Sequence, residues 1–470
     1  AGNIAMKFLR ILILCLVPFS VFAELPLEYK KIIKKYKFPS NSFTFAVKNL
    51  TNTSEPLIIY NEKKFFNSAS LVKIISTFIA IDKLGPHFKW KSDFLYNGKE
   101  VDGVLNGDLI FKGRGDATFS IADLEDSIRK IQRKGIKKIK GNLILDLSYF
   151  AMNSKEKNFD NDPMRAYNVL PHPIVIQSNT MNFVFSVAKN NFKIESNPEL
   201  NNIEIQNNVK LTKGRCIDWR SKLDYRTEKK NLKTIIIFGG KYSRNCGLKE
   251  LDLSALEENE YFYRIFKKLW NANGGEFNGN LEVSYIDQSD SELLYSHISR
   301  PLSEIVRDIN KYSLNLMARN TMLTVLAEDT DSLVLETSLN EYVHQWFEKK
   351  DLIHKGLFFE NGAGLSRKSF LTSEQLLLVM EKIYHDPLMP EILASFPISG
   401  IDGTLKRRMH YSSFKKSAHF KTGSMRNVNS IAGFLLDKNK NMKIFIFIIN
   451  DEKAKESQNF QEALISEAFK

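Results

Sequence analysis

The placement of apolar, strand-like segments at both ends of the chain constrains its fold more than any other feature of the sequence. Near the amino end, FTFAVKNL (43–50) and PLIIYNE (56–62) are typical of two strands joined by a polar turn. Near the carboxyl end, three consecutive runs are typical of antiparallel strands: SAHFKTGSM, SIAGFLLDKN and KIFIFIIND. Helical patterns lie between the two groups, so we expect one antiparallel sheet that is built from both ends of the chain and flanked by helices.

The middle of the chain has a different texture, in which short strand-like runs alternate with Gly, Asn and Asp. These runs are DLIFKG, GNLILDL, NFVFSVA and TIIIFGG. A lysine-rich stretch at 121–141 predicts a helix, whose charges form its solvated face. Because the strands of one predicted sheet lie on either side of this region, we predict that it is an insertion into the domain that contains the sheet.

The predicted fold class is α+β, with accessory domains. A chain of 470 residues is long enough for about three domains. We predict one domain formed by residues 24–94 and 295–470, in which helices flank the antiparallel sheet. Residues 95–294 would form a β-rich insertion, with a second accessory domain nested inside it at approximately 165–247.

The amino-terminal segment has the pattern of a secretory signal peptide. Met6, Lys7 and Arg10 lead into ILILCLVPFSVFA, which ends at Ala23. This apolar run is shorter than the roughly 20 residues that a membrane-spanning helix needs. We therefore predict export to the periplasm with cleavage after Ala23, and we interpret residues 1–5 as an extension upstream of the signal peptide.

The charge balance is basic, with 67 Lys and Arg against 54 Asp and Glu and a net charge of +13. Removal of Lys7 and Arg10 with the signal peptide leaves +11 on the mature chain. Export argues against nucleic acid as a partner. Anionic lipid and cell-wall polymer both remain open, and peripheral association with the membrane or the wall is compatible with the charge. The sequence does not determine the oligomeric state.

Two cysteines, Cys216 and Cys246, remain in the mature chain after removal of the signal peptide. In an oxidising compartment such a pair predicts a disulfide, and two separate buried thiols are the alternative. Neither cysteine lies in a C-x-x-C or Cys/His cluster, and the eight histidines form no H-E-x-x-H or H-x-H pair. The sequence therefore predicts neither a metal site nor a cofactor.

One lysine interrupts a stretch that otherwise has the pattern of a buried helix, SASLVKIISTF at 68–78. The spacing S-x-x-K occurs six times in the chain, but only at Ser70 does it begin an apolar helix pattern. Three residues along a helix place Lys73 beside Ser70 on one face. Two further short motifs are S-x-N, which occurs four times, and K-T-G, which occurs once, at Lys421.

Three of these motifs, taken in order, resemble the active-site motifs of serine penicillin-recognising enzymes. They are Ser70-Leu71-Val72-Lys73, Ser313-Leu314-Asn315 and Lys421-Thr422-Gly423. The chain resembles more specifically the D-alanyl-D-alanine carboxypeptidases and endopeptidases of the penicillin-binding protein 4 (DacB, peptidase S13) family, in which two extra domains separate the first motif from the second. The 243 residues between Ser70 and Ser313 agree with such an insertion. Other blocks similar to that family are NEKKFFNSASLVKIISTFIAI, LNGDLIFKGRGDATF, GIKKIKGNLILDLSYF, ENGAGLSRKSF and FPISGIDGTLKRRM.

The resemblance implies a penicillin-binding, transpeptidase-like domain and a reaction through an acyl-enzyme. Ser70 would attack the carbonyl of a D-Ala-D-Xaa bond, Lys73 would be the general base, and Ser313 would relay the proton to the leaving amine. A lysine base must be neutral, which requires its pKa to fall by roughly 3 units from about 10.4. Burial among apolar neighbours and the charge of Lys421 in the same cleft would both lower it.

The resemblance also implies a set of substrate-binding residues. Asn315 would hold the substrate amide, and Lys421 with Thr422 would bind the terminal carboxylate. Gly423 belongs to the same motif. The backbone N–H of Ser424, together with that of the nucleophile, would form the oxyanion hole, in which each donor is typically worth about a hundredfold or more in rate.

Two positions depart from the pattern of that family. Leu314 stands in the second motif where the family commonly has Asp, and Ser68 stands where a Pro usually opens the first motif. The block YNVLPHPIVIQSNTM at 167–181 is a looser match than the others. Neither substitution removes a group that the resemblance assigns to the chemistry.

The resemblance therefore implies a serine-type D-Ala-D-Ala carboxypeptidase, a D,D-endopeptidase or both, acting on peptidoglycan stem peptides and inhibited covalently by β-lactam antibiotics. A catalytically weak penicillin- or wall-binding scaffold and a β-lactamase are the alternatives. Glu336 and Asn340 repeat the E-x-x-x-N spacing of the deacylating loop in class A β-lactamases. They lie in an amphipathic helix pattern, and we interpret that spacing as chance.

Overall fold

The computed structural model describes residues 25–151, 159–188, 191–230, 233–331 and 333–470. The predicted signal peptide, residues 1–23, lies outside the described residues. Among the helices of the described part, none is both long enough and apolar enough to cross a membrane.

The described helices, numbered along the chain, are α1 Leu27–Tyr36, α2 Val72–Leu84, α3 Ile121–Arg133, α4 Glu258–Ala272, α5 Leu302–Tyr312, α6 Asn315–Asp329, α7 Leu339–Lys349, α8 Ser373–His385, α9 Met389–Ser395 and α10 Gln458–Phe469. The described strands are β1 Phe43–Asn49, β2 Ile58–Tyr60, β3 Lys91–Tyr96, β4 Lys99–Val101, β5 Val104–Asn106, β6 Leu109–Lys112, β7 Lys138–Ile139, β8 Leu143–Asp146, β9 Met181–Ala188, β10 Asn191–Asn197, β11 Ile203–Asn207, β12 Lys210–Thr212, β13 Leu223–Lys230, β14 Lys233–Ser243, β15 Lys249–Leu253, β16 Glu276–Phe277, β17 Leu281–Ser284, β18 Glu292–Ile298, β19 Ala418–Met425, β20 Val428–Leu436 and β21 Met442–Asn450.

The two ends of the chain meet in one five-stranded sheet with the order β19-β20-β21-β1-β2. All neighbours in it are antiparallel. The strand β1 lies beside β21 from Phe43, opposite Ile449, to Asn49, opposite Lys443. The expectation of an antiparallel sheet built from both ends of the chain is confirmed.

Helices cover both faces of this sheet, which explains why β21 is apolar at almost every position. Its isoleucines 444, 446 and 448 pack in one core with α2 and with the helices α5 to α9. The residues between them, 445, 447 and 449, pack on the opposite face with α1 and α10. The run KIFIFII is therefore a strand that is buried on both sides.

The helix α2 lies at the centre of the first core. Every residue from Val72 to Ile81 is buried. A helix that is apolar around its whole circumference is typical of such a central position. The chain thereby carries Lys73, the one lysine of this stretch, into the interior.

The insertion has sheets of its own. A five-stranded sheet has the order β17-β8-β6-β3-β18 and a four-stranded sheet the order β16-β7-β5-β4. Between β8 and β16 along the chain lie the sheets β10-β9-β15 and β11-β14-β12, the latter with β13 beside β14. The helices α3 and α4 contribute to the core that these sheets enclose. The α+β class with accessory domains is confirmed.

Paired strands lie where we expected the domain boundaries. The strand β3 pairs with β18, from Lys91 opposite Ile298 to Tyr96 opposite Glu292. Boundaries at 94/95 and 294/295 would divide both strands, so we propose that the insertion begins at Lys91 and ends at Ile298. Because β15 pairs with β9, we propose that the nested domain extends to Leu253 rather than ending near 247.

The helices of the structure differ from the helical patterns of the sequence in three places. The helix predicted over 121–141 ends at Arg133, because Gly135 adopts φ +115° and the chain continues into β7. The helix α4 was not predicted, since its segment is rich in aromatic residues that also favour strands. The segment PLSEIVRDINKYSLNLMARNTMLTVLA, at 301–327, has a continuous helical pattern in the sequence, but the structure divides it into α5 and α6 at Ser313.

The cysteines lie within the nested part of the insertion. Cys216 follows β12, Cys246 follows β14, and the two are joined by a disulfide with their Cα atoms 4.9 Å apart. The bond closes a loop between residues 30 apart in sequence.

Candidate active site

Ser70 and Lys73 are in hydrogen-bond contact at the start of α2. Ser70 lies in a single 3-10 turn, Ala69–Leu71, directly before the helix, rather than in its first turn. Ala69 opens this turn with φ +49°, a conformation that residues other than glycine rarely adopt and that often occurs at functional sites. Lys73 Nζ and Ser70 Oγ lie 2.9 Å apart, within hydrogen-bond distance.

Two further acceptors determine how Lys73 can act. Its Nζ also lies 2.8 Å from Asn315 Oδ1 and 2.7 Å from the carbonyl oxygen of Ala363. Both of these oxygens can only accept hydrogen bonds. A neutral amine has two N–H donors and one lone pair, so when the donors bind Asn315 and Ala363 the lone pair faces the hydroxyl of Ser70.

The surroundings of Lys73 favour this neutral form. The side chain is fully buried, and among the described residues no carboxylate forms a salt bridge with it. Burial is the main cause that holds the pKa of Lys73 well below its usual value, and the nearby charge of Lys421 lowers it further.

A second lysine and a second serine form a matching pair. Lys421, in β19, is fully buried and donates from Nζ to Ser313 Oγ at 2.9 Å and to the carbonyl of Thr422 at 2.6 Å. Burial lowers the pKa of Lys421 to about 7. This lysine can therefore change its charge near neutral pH.

Ser313 reaches Lys421 because the chain turns sharply between two helices. Its backbone is left-handed, with φ 59° and ψ 43°, and it ends α5 while Asn315 begins α6. The N–H of Leu314 closes the turn on the carbonyl of Ile309 at 3.2 Å. A left-handed serine is uncommon and costs conformational energy, so tertiary contacts such as that to Lys421 must maintain it.

The strand β19 lies close against the turn that carries Ser70. A Cβ atom on Gly423 would lie 2.3 Å from Ser430 Oγ, 2.6 Å from the carbonyl oxygen of Ser68 and 3.0 Å from the amide nitrogen of Ser70. Only glycine allows this approach. The next residue, Ser424, is exposed at the same edge of the sheet, opposite Asn429.

Three contacts involve residues outside the predicted set. Ala363 supplies an acceptor to Lys73, as described above, and the carbonyl of Tyr167 accepts from Asn315 Nδ2 at 3.1 Å. The hydroxyl of Thr404 lies 2.7 Å from that of Thr422. The sequence marks Ala363 and Thr404 only by their location in two blocks that are similar to the family. These blocks are ENGAGLSRKSF and FPISGIDGTLKRRM.

The insertion forms one wall of a cavity at the second motif. A cavity of about 760 Å³ opens beside the segment from Tyr312 to Met317, which includes Ser313 and Asn315. Its other side is lined by residues of the insertion, among them Glu125, Tyr167 and Asp252. A substrate bound at the second motif would therefore contact both parts of the molecule.

Two sets of residues from the sequence analysis lie apart from this constellation. Glu336 forms a bidentate salt bridge with Arg319, with distances of 2.7 and 2.5 Å, and the pair is buried. Asn340 Oδ1 accepts from the backbone N–H of Phe359. The first contact fixes the 3-10 turn Glu336–Ser338 that precedes α7, and the second fixes the start of α7. The cysteines lie in the insertion and contribute no group to the motifs.

Each of the two serines is thus bound to a buried lysine, and both pairs lie beside an antiparallel sheet that is covered by helices. This arrangement defines a serine hydrolase of the penicillin-recognising class. The chain belongs to the D-Ala-D-Ala carboxypeptidase 3 (S13) family, whose family model matches residues 28–468. Membership makes this protein a peptidase of the D-Ala-D-Ala carboxypeptidase type.

Known proteins similar to this chain cover most of its length. The D-alanyl-D-alanine carboxypeptidase DacB of Haemophilus influenzae is 26% identical over 436 residues, which are 88% of this chain and 86% of that protein. The penicillin-sensitive carboxypeptidase A of Dictyostelium discoideum is 24% identical over 425 residues, 84% of this chain and 80% of that protein. The crystal structure of penicillin-binding protein 4 from H. influenzae has the same fold, with a TM-score of 0.81 and 23% identity over 95% of this chain and 100% of that one.

Proposed function

We propose that this protein hydrolyses D-Ala-D-Xaa bonds of peptidoglycan stem peptides, as a carboxypeptidase, an endopeptidase or both, through an acyl-enzyme on Ser70. The observation that carries the proposal is the contact between Lys73 Nζ and Ser70 Oγ at 2.9 Å in a buried setting. A serine hydroxyl becomes an effective nucleophile only when a neighbouring base takes its proton.

In the acylation step, the oxygen of Ser70 attacks the substrate carbonyl while its proton passes to the lone pair of Lys73. The C–N bond of the peptide then breaks, and the proton taken up by Lys73 passes through the Ser313 hydroxyl to the leaving amine, which restores the neutral lysine. The contact of Ser313 with Lys421 supports this relay, because it holds the Ser313 hydroxyl in hydrogen-bond distance of the second lysine. Attack by water on the ester carbonyl releases the acyl group and restores Ser70.

The terminal carboxylate of the substrate would lie against Lys421 and Thr422. An anion near Lys421 raises its pKa from about 7, so the lysine becomes charged when substrate binds. A charged Lys421 in turn lowers the pKa of Lys73, so a larger fraction of Lys73 is in the neutral form that can accept a proton. Substrate binding and activation of the nucleophile are thereby coupled.

The developing negative charge on the carbonyl oxygen would be stabilised by the backbone N–H groups of Ser70 and Ser424. Gly423 supports this assignment, since its missing side chain allows β19 to lie against the Ser70 turn. Asn315 would orient the substrate amide at the wall that the insertion completes.

Labelling with a fluorescent penicillin tests the nucleophile. The wild-type protein should be labelled covalently and Ser70→Ala should not, and labelling that persists in the variant would disprove the assignment. Release of D-Ala from a pentapeptide separates an enzyme from a binding scaffold. A label that is stable for many minutes excludes a β-lactamase, which would release the opened penicillin rapidly.

We further propose that the protein is exported to the periplasm and that its signal peptide is cleaved after Ala23. Amino-terminal sequencing of the protein from a periplasmic fraction tests this cleavage. Peripheral association with anionic membrane or wall surfaces is part of the proposal, and an exposed loop with Lys406, Arg407 and Lys416 supports it. Release of the protein from envelopes by raised salt would be the expected behaviour.

A further inference from the structure

The hydroxyl groups of Thr404 and Thr422 lie 2.7 Å apart, so each is within hydrogen-bond distance of the other. Thr404 belongs to a short 3-10 turn, Gly403–Leu405, that precedes β19 in the chain. Its side chain is exposed at the cleft, whereas that of Thr422 is half-buried. The contact therefore lies where a ligand of the third motif would bind.

The turn that carries this threonine is held firmly against α5. Lys311, a buried residue of α5, donates from Nζ to Asp402 Oδ2 at 2.6 Å. A Cβ atom on Gly403, whose φ is +53°, would lie 2.5 Å from the carbonyl oxygen of Lys311. Leu405 is fully buried. With an ion pair, a close backbone approach and a buried anchor, the turn presents its hydroxyl in a fixed position.

A count of protons sets the direction of the hydrogen bond. A threonine hydroxyl has one proton to donate and two lone pairs that accept. Under the function proposed above, Thr422 donates its proton to the substrate carboxylate, which can only accept. Thr422 then has no proton for Thr404, so Thr404 must donate to Thr422.

We propose that Thr404 is a positioning residue that orients and polarises the Thr422 hydroxyl toward the terminal carboxylate of the substrate. Hydrogen bonds in a chain strengthen one another, so donation by Thr404 makes Thr422 a better donor. The inference rests on the proposed function, because it requires a carboxylate at Thr422. It assigns to Thr404 a role in recognising the free carboxyl end, without a part in bond breaking.

The test compares Thr404→Val, which keeps the shape and removes the hydroxyl, with Thr404→Ser, which keeps the hydroxyl. The substrates are one peptide ending in D-Ala-D-Ala with a free carboxylate and the same peptide as its methyl ester. We expect Thr404→Val to lower kcat/KM about tenfold for the free acid, mainly through KM, and less than about twofold for the ester. Thr404→Ser should stay within about threefold of wild type for both substrates.

A double-mutant cycle with Thr422→Val adds a readout that a merely structural role would not give. If Thr404 acts through Thr422, the double variant should be no worse than Thr422→Val alone. Three outcomes would each overturn the inference. They are equal losses of kcat/KM with the acid and the ester, additive losses of kcat/KM in the cycle, and a kcat/KM of Thr404→Val that equals that of wild type. Two measurements on the wild-type protein separate failure of this inference from failure of the proposed function. If the proposed function were wrong, the wild-type protein would neither react with fluorescent penicillin nor release D-Ala.

Discussion

Lys73 Nζ and Asn315 Oδ1 lie 2.8 Å apart, so the first and second motifs meet in one hydrogen bond although they are 242 residues apart in the chain. The orientation of the Asn315 amide agrees with this contact, because its Nδ2 donates to the carbonyl of Tyr167. Asn315 therefore presents an oxygen to the lysine and a nitrogen to the insertion. Its oxygen occupies one N–H of a neutral Lys73 and helps to direct the lone pair at Ser70.

The Asn315→Asp substitution tests this relationship. A carboxylate 2.8 Å from Lys73 Nζ favours the ammonium form, so it raises the pKa of that lysine. The rate of acylation by penicillin should fall at neutral pH. In a plot of this rate against pH, the rise that marks deprotonation of Lys73 should move to higher pH. Asn201→Asp, at an exposed turn of the insertion, adds the same charge and should leave the profile unchanged. A profile of Asn315→Asp that coincides with wild type would contradict the proposed geometry.

The Lys73→Arg substitution tests whether this residue must become neutral. Arginine keeps a positive charge near Ser70 but stays protonated at any pH that the protein tolerates. General-base catalysis typically contributes about 10²–10⁴-fold, so we expect acylation by fluorescent penicillin to slow by at least about a hundredfold. Lys130→Arg is the matched control, because Lys130 follows Ser127 with the same S-x-x-K spacing on the exposed face of α3. Acylation at the wild-type rate in Lys73→Arg would show that another group is the base.

The Gly423→Ala substitution tests the close approach of β19 to the Ser70 turn. The added methyl would lie 2.3 Å from Ser430 Oγ and 2.6 Å from the carbonyl oxygen of Ser68, so the strand must move away. We expect acylation to fall by about a hundredfold or more, as for the loss of an oxyanion donor. Adding Ser430→Ala should not restore it, because the backbone oxygen remains in place.

A glycine in another strand provides the control for this substitution. A Cβ atom on Gly239, in β14, would have Asp224 Cβ as its nearest contact, at 3.8 Å. Gly239→Ala should therefore keep both the melting temperature and the acylation rate near wild type. Wild-type acylation in Gly423→Ala would mean that the oxyanion site does not depend on this contact.

The sheet and its central helix could be predicted from the sequence because their signal is local. In β21 and α2, the length and continuity of the apolar run are sufficient to indicate an element buried on all sides. The break at Ser313 has no such signal, since INKYSLNLMA contains neither Gly nor Pro and the helical pattern continues through it. Its left-handed backbone depends on contacts across the cleft, which local propensity does not contain.

The same distinction applies to the site. Four site residues could be predicted from the sequence because each lies in a motif with a defined spacing and a defined order along the chain. They are Ser70, Lys73, Ser313 and Lys421. Thr404 could not, since its partner hydroxyl is 18 residues away and the two meet only through the placement of a turn on α5. Contacts made by backbone carbonyls, such as that of Ala363 to Lys73, are likewise invisible in a sequence, because every residue has a carbonyl.

The disulfide offers a test in which stability and activity separate. Replacing Cys216 and Cys246 by serine removes a crosslink between two residues that are 30 apart in the sequence. On the chain-entropy model, this loss lowers the free energy of unfolding by roughly 3.5 kcal/mol. The urea midpoint of the transition that includes the insertion should fall. The acylation rate per folded molecule should stay the same, because neither cysteine contacts a motif residue. A large loss of acylation in protein that remains folded would contradict this separation.

The buried Lys421 should make stability depend on pH in a defined direction. Its pKa is about 7 in the folded protein and about 10.4 when unfolded, so between these values the unfolded chain binds more protons. Stability must then rise with pH across this window, and a pKa difference of about 3 units corresponds to about 4 kcal/mol. In Lys421→Met this contribution is absent, so wild type should gain stability relative to the variant as pH rises from 7 to 10.

Urea unfolding of both proteins at several pH values measures this difference. Lys406→Met, at the surface, removes the same charge and serves as the control. The buried Lys73 is present in wild type and in both variants. Loss of the Lys421 charge raises the pKa of Lys73 in the folded Lys421→Met variant, which reduces the rise of that variant's stability with pH and leaves the expected direction unchanged. A difference between wild type and Lys421→Met that is flat or that falls with pH would mean that Lys421 stays charged in the folded protein. In that case substrate binding could not activate Lys73 by charging its neighbour, and the coupling between the two lysines would have to be abandoned.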